Sequence, residues 1–231
     1  MVEINLRGEL WDNDSADILR WMGWRDLTAP MDVQAALERA GGDDVTVLIN
    51  SPGGDLTVGG EIRSMLRRYP GRTTALYQGY GASAATVAAA GCGRIQSEPG
   101  ALLCYHNPSA HAEGDFRALQ RAADGLENTR DGFLEIYLAR PGIQLSREEL
   151  TALMDRDIWI NPTQALEYGL IDEIAGVEGS EGDPAPYVAA AGRRMRLTAA
   201  MREAYAQHMA QAARAETARR VLAKAKALAA Y

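Results

Sequence analysis

Lysine is almost missing from this chain. Its only two, Lys224 and Lys226, stand near the C-terminal end, so everything before them carries positive charge on arginine alone. A mechanism that needs a lysine base finds none in the first 223 residues. Cysteine is as scarce. Cys92 and Cys104 both sit in apolar surroundings without a Cys-x-x-Cys partner, which excludes a disulfide scaffold and reads as buried thiols in a reducing compartment. Long apolar runs are lacking too. The longest weakly polar stretch, Ala82 to Cys92, is too short and too rich in alanine to span a bilayer. Met1 to Glu9 has no apolar core of a signal peptide. A cytoplasmic protein with no membrane partner is expected. No internal repeat is evident.

With 231 residues, the chain fits one large domain, or one domain plus an appendage. It buries about two-thirds of its unfolded surface, so it folds without disulfides or metal. Hydrophobic residues make up 47% and charged residues 24%, an ordinary globular balance. The net charge of −7 argues against a nucleic-acid partner, but it hides a split. Residues 1–189 hold 15 Lys+Arg against 29 Asp+Glu, a net of −14; residues 190–231 hold 9 against 2, a net of +7. An acidic body carries a basic tail.

Strand and helix patterns alternate along the body. Val2–Leu6 reads as an edge strand, and residues 16–23 and 31–40 as helices. Asp44–Asn50 is a β-branched run feeding the loop Ser51-Pro52-Gly53-Gly54-Asp55. A helix over 58–68, a strand over 73–78, a small-residue helix over 83–91 and strands over 94–97 and 101–106 come next. Residues 114–140 read as a long helix with a heptad-like seam of Phe116, Leu119, Ala123, Leu126, Phe133 and Tyr137, Arg130 being its polar member. That seam suits its own domain or a partner helix. A helix over 145–155 with a capping box of Ser146 and Glu149, a strand over 158–160, a helix over 162–168 and a strand over 170–174 complete the body. This order implies an α/β fold with largely parallel pairing. The domain reading is a body over 1–175, a Gly/Pro-rich linker over 176–192 and a basic helical tail over 193–231.

Four places carry chemistry. In Gly79-Tyr80-Gly81-Ala82-Ser83 a strand and a glycine turn present a serine at a helix start. That is how a nucleophile is raised above a sheet, or simply how a helix is capped. Ser51 to Asp55 places two glycines after a buried strand, so that Gly54 N–H and Ala84 N–H form a natural pair of oxyanion donors; a plain turn is the alternative. His106 ends a strand and suits a general base, or a structural histidine. Asp157 precedes a short apolar strand, where an orienting carboxylate can be partly buried, with Asp155 as its fallback. His106, His111, Glu113 and Asp115 match no firm zinc spacing, so neither metal nor cofactor is expected.

Together these stretches resemble the Clp protease proteolytic subunit family. The resemblance rests on Leu48–Gly54, Gly81–Ala84, Leu103–Pro108 and Asp155–Asp172, and covers roughly Val2–Ala175. It implies a ClpP/crotonase-like spiral of ββα units with a long handle helix over 114–140, here followed by an Ala-rich helical tail. It implies Ser83 as nucleophile, His106 as general base and Asp157 as orienting acid, with Gly54 and Ala84 supplying the oxyanion N–H groups. It implies a protein or peptide substrate lying beside a handle strand by β-augmentation, and a homo-oligomeric ring stacked through the handle helix. Two departures qualify it. The chain opens almost directly on its first strand, without the N-terminal segment from which ATP-dependent members build axial loops, which argues against an AAA+ unfoldase partner. The segment Asp12–Pro30 and the basic tail are unlike the housekeeping subunit and look more like the ClpP-related head maturation proteases of tailed phages, which act on capsid and scaffold proteins. Two other readings share the fold: a weakly active assembly or scaffold-binding protein, and a crotonase-like acyl-CoA enzyme. The related signal-peptide-peptidase family uses a Ser–Lys dyad, which a body without lysine cannot supply.

Overall fold

The computed structural model describes residues 2–176 and 197–228. From residue 177 on, the linker reading lies outside the described residues. In chain order the elements are β1 (Val2–Leu10), α1 (Asn13–Trp21), β2 (Leu27–Thr28), α2 (Pro30–Ala40), β3 (Val45–Gly54), α3 (Leu56–Arg68), β4 (Thr73–Ala82) and α4 (Ala84–Ala89). They continue with β5 (Arg94–Ser97), β6 (Leu102–Cys104), α5 (Phe116–Leu138), α6 (Arg147–Asp155), β7 (Trp159–Ile160), α7 (Pro162–Glu167), β8 (Glu173–Ile174) and α8 (Ala199–Leu228). Six strands pair in parallel in the order β2-β1-β3-β4-β5-β8. β6 pairs in parallel with the end of β4 and antiparallel with β7, so a short ribbon turns off the main sheet.

Local chemistry accounts for the element boundaries. β3 is β-branched and alternates strictly, burying Val45, Val47 and Ile49. α3 starts where Asp55 accepts from Thr57 N–H at 2.8 Å. α2 begins with Pro30 in its first turn and ends on Gly41 at φ 59°, whose N–H reaches Leu37 O and Glu38 O. The capping box of α6 forms as read: Ser146 Oγ accepts from Glu149 N–H at 3.2 Å, and Glu149 Oε2 accepts from Ser146 N–H at 2.8 Å.

Four expectations are corrected. β1 is not an edge strand: it runs on to Leu10 and lies between β3 and the two-residue β2, which the sequence pattern is too short to reveal. The strand expected over 101–106 stops at Cys104, because its partners end there, at Ala82 on β4 and Trp159 on β7. No handle strand forms between Cys104 and Phe116 among the described residues, so this stretch presents unpaired backbone instead. The α5 seam, finally, splits. Leu134 and Tyr137 are buried in the core, whereas Phe116 is 76% and Leu119 46% exposed.

The described residues fall into two compact units. Residues 2–13 and 26–176 form the first, which holds the sheet and its core. Residues 14–25 and α8 form the second. In it Trp21 meets the rings of Tyr205 and His208 at centroid distances of 5.9 and 5.2 Å. No helix among the described residues is long and apolar enough to cross a membrane.

Candidate active site

Three strand ends converge on one place. Between β3 and β4 the register slips from Ile49↔Tyr77 to Ser51↔Gly81, leaving extra residues on β4. Such a bulge bends a strand and re-aims the residues beyond it. The Asn50 side chain bridges the bulge, its Oδ1 accepting from Tyr80 N–H at 3.3 Å. Ala82 then pairs with Cys104, and Cys104 with Trp159. Ser83 N–H donates to Cys104 O at 3.1 Å, and Asp157 Oδ1 accepts from Cys104 Sγ at 3.7 Å. Ser83 and Asp157 thus both meet Cys104 at the end of β6, and His106 stands two residues further along the chain.

Ser83 itself has φ 56° and ψ −130°, a region that non-glycine residues rarely occupy. Holding it there costs about 1–3 kcal/mol and needs surroundings that over-determine it. They do. Its N–H donates to Cys104 O at 3.1 Å, and its carbonyl accepts from Thr86 N–H at 2.9 Å and from Thr86 Oγ1 at 2.7 Å. The helix-cap reading fails, because the Ser83 side chain makes no capping bond to α4. Half-buried, its hydroxyl remains available at the site.

The glycine loop lies against this turn. A Cβ on Gly53 would fall 2.6 Å from Ser83 Cβ and 2.8 Å from Ala84 N, so only glycine allows the approach. Gly53 N–H is used, donating to Ser51 Oγ at 3.1 Å. Asp55 N–H donates to Leu10 O at 2.9 Å, and Gly54 pairs with Leu10 at the end of the β1–β3 ladder. Gly54, at φ 149°, would drive a Cβ to 2.3 Å from Leu10 O. Ala84 opens α4, so its N–H has no intrahelical acceptor. The Gly53–Gly54 loop is thus packed between β1 and the Ser83–Ala84 turn, with the Ala84 amide free of any helical acceptor.

His106 is half-buried. Asp157 is exposed rather than partly buried, and at φ 46° it is the second non-glycine residue with positive φ. Among the described residues, Ser83, His106 and Asp157 do not hydrogen-bond one another. Asp157 Oδ1 instead accepts from Cys104 Sγ at 3.7 Å. Burial first, then the Asp157 carboxylate, pushes the Cys104 thiol up to about 12, so it stays protonated and able to donate. Asp155, the fallback, points elsewhere and accepts from Asn107 Nδ2 at 2.7 Å.

The sequence reading missed the polar residues that hold the site. Thr86 was an anonymous member of a small-residue helix, and Tyr137 entered only as an apolar seam position. Their hydroxyls lie 2.7 Å apart. A threonine three residues after the serine was the one available signal, since a Thr hydroxyl at that spacing reaches back to the preceding turn. Nothing in the spacing of α5 pointed to Tyr137.

Comparison with known proteins adds to this geometry. A family model described as Clp protease matches residues 32–178. Among curated proteins, the chain is 33% identical over 133 residues to ATP-dependent Clp protease proteolytic subunit 1 of Streptomyces avermitilis, covering 57% of this chain and 60% of that protein. It is 30% identical over 168 residues to the corresponding subunit 1 of Protochlamydia amoebophila, covering 71% and 75%. The match thus spans less than two-thirds of the Streptomyces relative. A ClpP1 mutant from Listeria monocytogenes superposes with a TM-score of 0.60 at 20% identity, covering 76% of this chain and 92% of that one, a likeness of fold.

Proposed function

Because the chain belongs to the Clp protease family, we propose that it is a serine endopeptidase acting through Ser83, His106 and Asp157. The observation that carries this reading is Ser83 itself, held at a strained φ of 56° with its hydroxyl unused for capping and the glycine loop packed against its turn. In the proposed reaction Ser83 Oγ attacks the scissile carbonyl carbon while His106 takes its proton. The negative charge that develops on the carbonyl oxygen is met by Gly54 N–H and Ala84 N–H. The tetrahedral intermediate collapses as His106 returns the proton to the leaving amine. Water then repeats the sequence on the acyl-enzyme, releasing the acid and freeing Ser83. Asp157 fixes the imidazole tautomer and stabilises the imidazolium. Bringing His106 within bonding distance of both partners is a tightening that catalytic hydrogen bonds commonly undergo on substrate binding.

Replacing Ser83 by Ala tests the reading. Fluorogenic peptide cleavage should fall by about 10³-fold or more with the fold intact, and a fluorophosphonate should label the native chain but not the variant. Cleavage at the original rate by Ser83→Ala sinks the assignment.

The substrates we propose are capsid or scaffold proteins processed during assembly by a ring of copies stacked through α5. The second unit, residues 14–25 with α8, supports this, since its helices lie outside the matched residues 32–178. The exposed Phe116 and Leu119 on α5 support stacking. The names of the curated relatives favour a second reading, an ATP-dependent proteolytic subunit that degrades unfolded proteins. Unfolded-protein degradation that appears only with an AAA+ unfoldase and ATP would carry the second reading, whereas ATP-independent cleavage of a scaffold protein would carry the first.

A further inference from the structure

We propose that Tyr137 is a positioning residue for the Ser83 nucleophile, acting through the Thr86 hydroxyl and so tying the docked end of α5 to the catalytic turn. The proposal rests on the reading of Ser83 as nucleophile. Two hydrogen bonds carry it. Thr86 Oγ1 donates to Ser83 O at 2.7 Å, and Thr86 Oγ1 lies 2.7 Å from Tyr137 Oη. A threonine hydroxyl has one proton, and the Ser83 carbonyl has it. That fixes the direction of the second bond: Tyr137 Oη–H donates to Thr86 Oγ1. The chain therefore runs one way, from Tyr137 through Thr86 to the backbone of Ser83.

Its surroundings make the chain a fixture. Thr86 is 1% and Tyr137 4% exposed, so water cannot substitute for either partner. Burial raises the Tyr137 hydroxyl far above the usual tyrosine range, which keeps its proton in place at any working pH. At the other end stands a serine whose φ and ψ aim Oγ and hold only because the neighbours enforce them. The Ser83 N–H is clamped by β6, through Cys104 O, and the Ser83 C=O by the Tyr137–Thr86 chain. The Tyr137 ring also packs edge-on against Tyr105, the residue before His106, at a centroid distance of 5.1 Å and 80°. One side chain on α5 thus supports the residue that attacks and the strand end that presents the base. A side chain placed only to fill the core needs the ring, not the hydroxyl, so removing the hydroxyl alone separates the two roles.

The experiment uses the full chain with a fluorogenic peptide and a fluorophosphonate. Tyr137→Phe keeps the ring on Tyr105 and deletes the donor. We expect kcat to fall about tenfold with KM within about twofold, the scale of one hydrogen bond acting on the transition state. The rate of fluorophosphonate labelling of Ser83 should fall in parallel. Thr86→Val breaks the same chain and should cost about as much, with the double variant no worse than either single one, because the two act in series. Thr86→Ser restores the hydroxyl and should restore the rate. Wild-type kcat and labelling in Tyr137→Phe would overturn the proposal, as would losses that multiply in the double variant. Should Tyr137→Phe fail to fold, Thr86→Val against Thr86→Ser decides alone. If Ser83→Ala still cleaves, the catalytic assignment falls; if it is dead while both hydroxyl variants run at full rate, only the role of Tyr137 falls.

Discussion

Cys92 and Cys104 show how burial changes a residue's chemistry. Each thiol is pushed up to about 12, chiefly by desolvation. Tyr105 is raised to about 12 for the same reason. At pH 8 the native thiols should therefore resist a disulfide reagent, reacting only after denaturation, and thiol titration checks this. These groups hold protons in the folded state that the unfolded chain releases from about pH 9 upward. Their stabilising contribution is complete below pH 9 and is lost progressively as pH rises toward 12. Thermal melts should show a falling Tm above pH 9, less steep in Cys92→Ala, provided the small cavity is allowed for by the difference at pH 7.

Among the elements, α5 divides its sequence between two environments. Its last turns enter the core through Leu134 and Tyr137, while its first turns expose Phe116 and Leu119. Leu134→Ala should cost about 2–5 kcal/mol in chemical denaturation, the usual effect of emptying a buried leucine site. Phe116→Ala removes no core contact and should shift the stability of one copy by no more than about 0.5 kcal/mol. On the stacking reading, the same Phe116→Ala should lower the assembled mass in analytical ultracentrifugation. An unchanged assembly would count against stacking through this surface. The short ribbon of β6 and β7 matters for a different reason. Cys104, the last of three residues in β6, meets both Ser83 and Asp157, so the candidate site depends on an element too brief to stand out in the sequence.

For the whole molecule, the charge split and the compact units do not coincide, since residues 14–25 of the acidic part share a unit with α8. The matched residues 32–178 lie in the acidic part, and the basic part ends in α8. α8 is not an isolated tail: it shares a compact unit with residues 14–25, through Trp21 against Tyr205 and His208. A helix with so few large apolar residues needs such anchors. Tyr205→Ala should change the Trp21 contribution to tryptophan emission and speed proteolysis within α8, while peptide cleavage persists. Equal protease resistance in the variant would mean that Trp21 does not hold the helix.

The sequence by itself determined much. Alternating β-branched runs and capped amphipathic helices set the α/β order, because side-chain periodicity is a local property. The scarcity of lysine limited the chemistry, and the glycine loop, the serine turn, His106 and Asp157 were legible as motifs. Only the tertiary structure decided what joins them. Contacts across as many as 53 residues set Cys104 between Asp157 and the Ser83 turn, and a tyrosine 51 residues away from Thr86 became its hydrogen-bond donor. Such partners are invisible to periodicity, since a buried tyrosine shows the sequence only its apolar ring. Likewise no local pattern distinguishes a serine that caps a helix from one held at positive φ. That difference is made by the strand beside it and by the hydroxyl chain behind it.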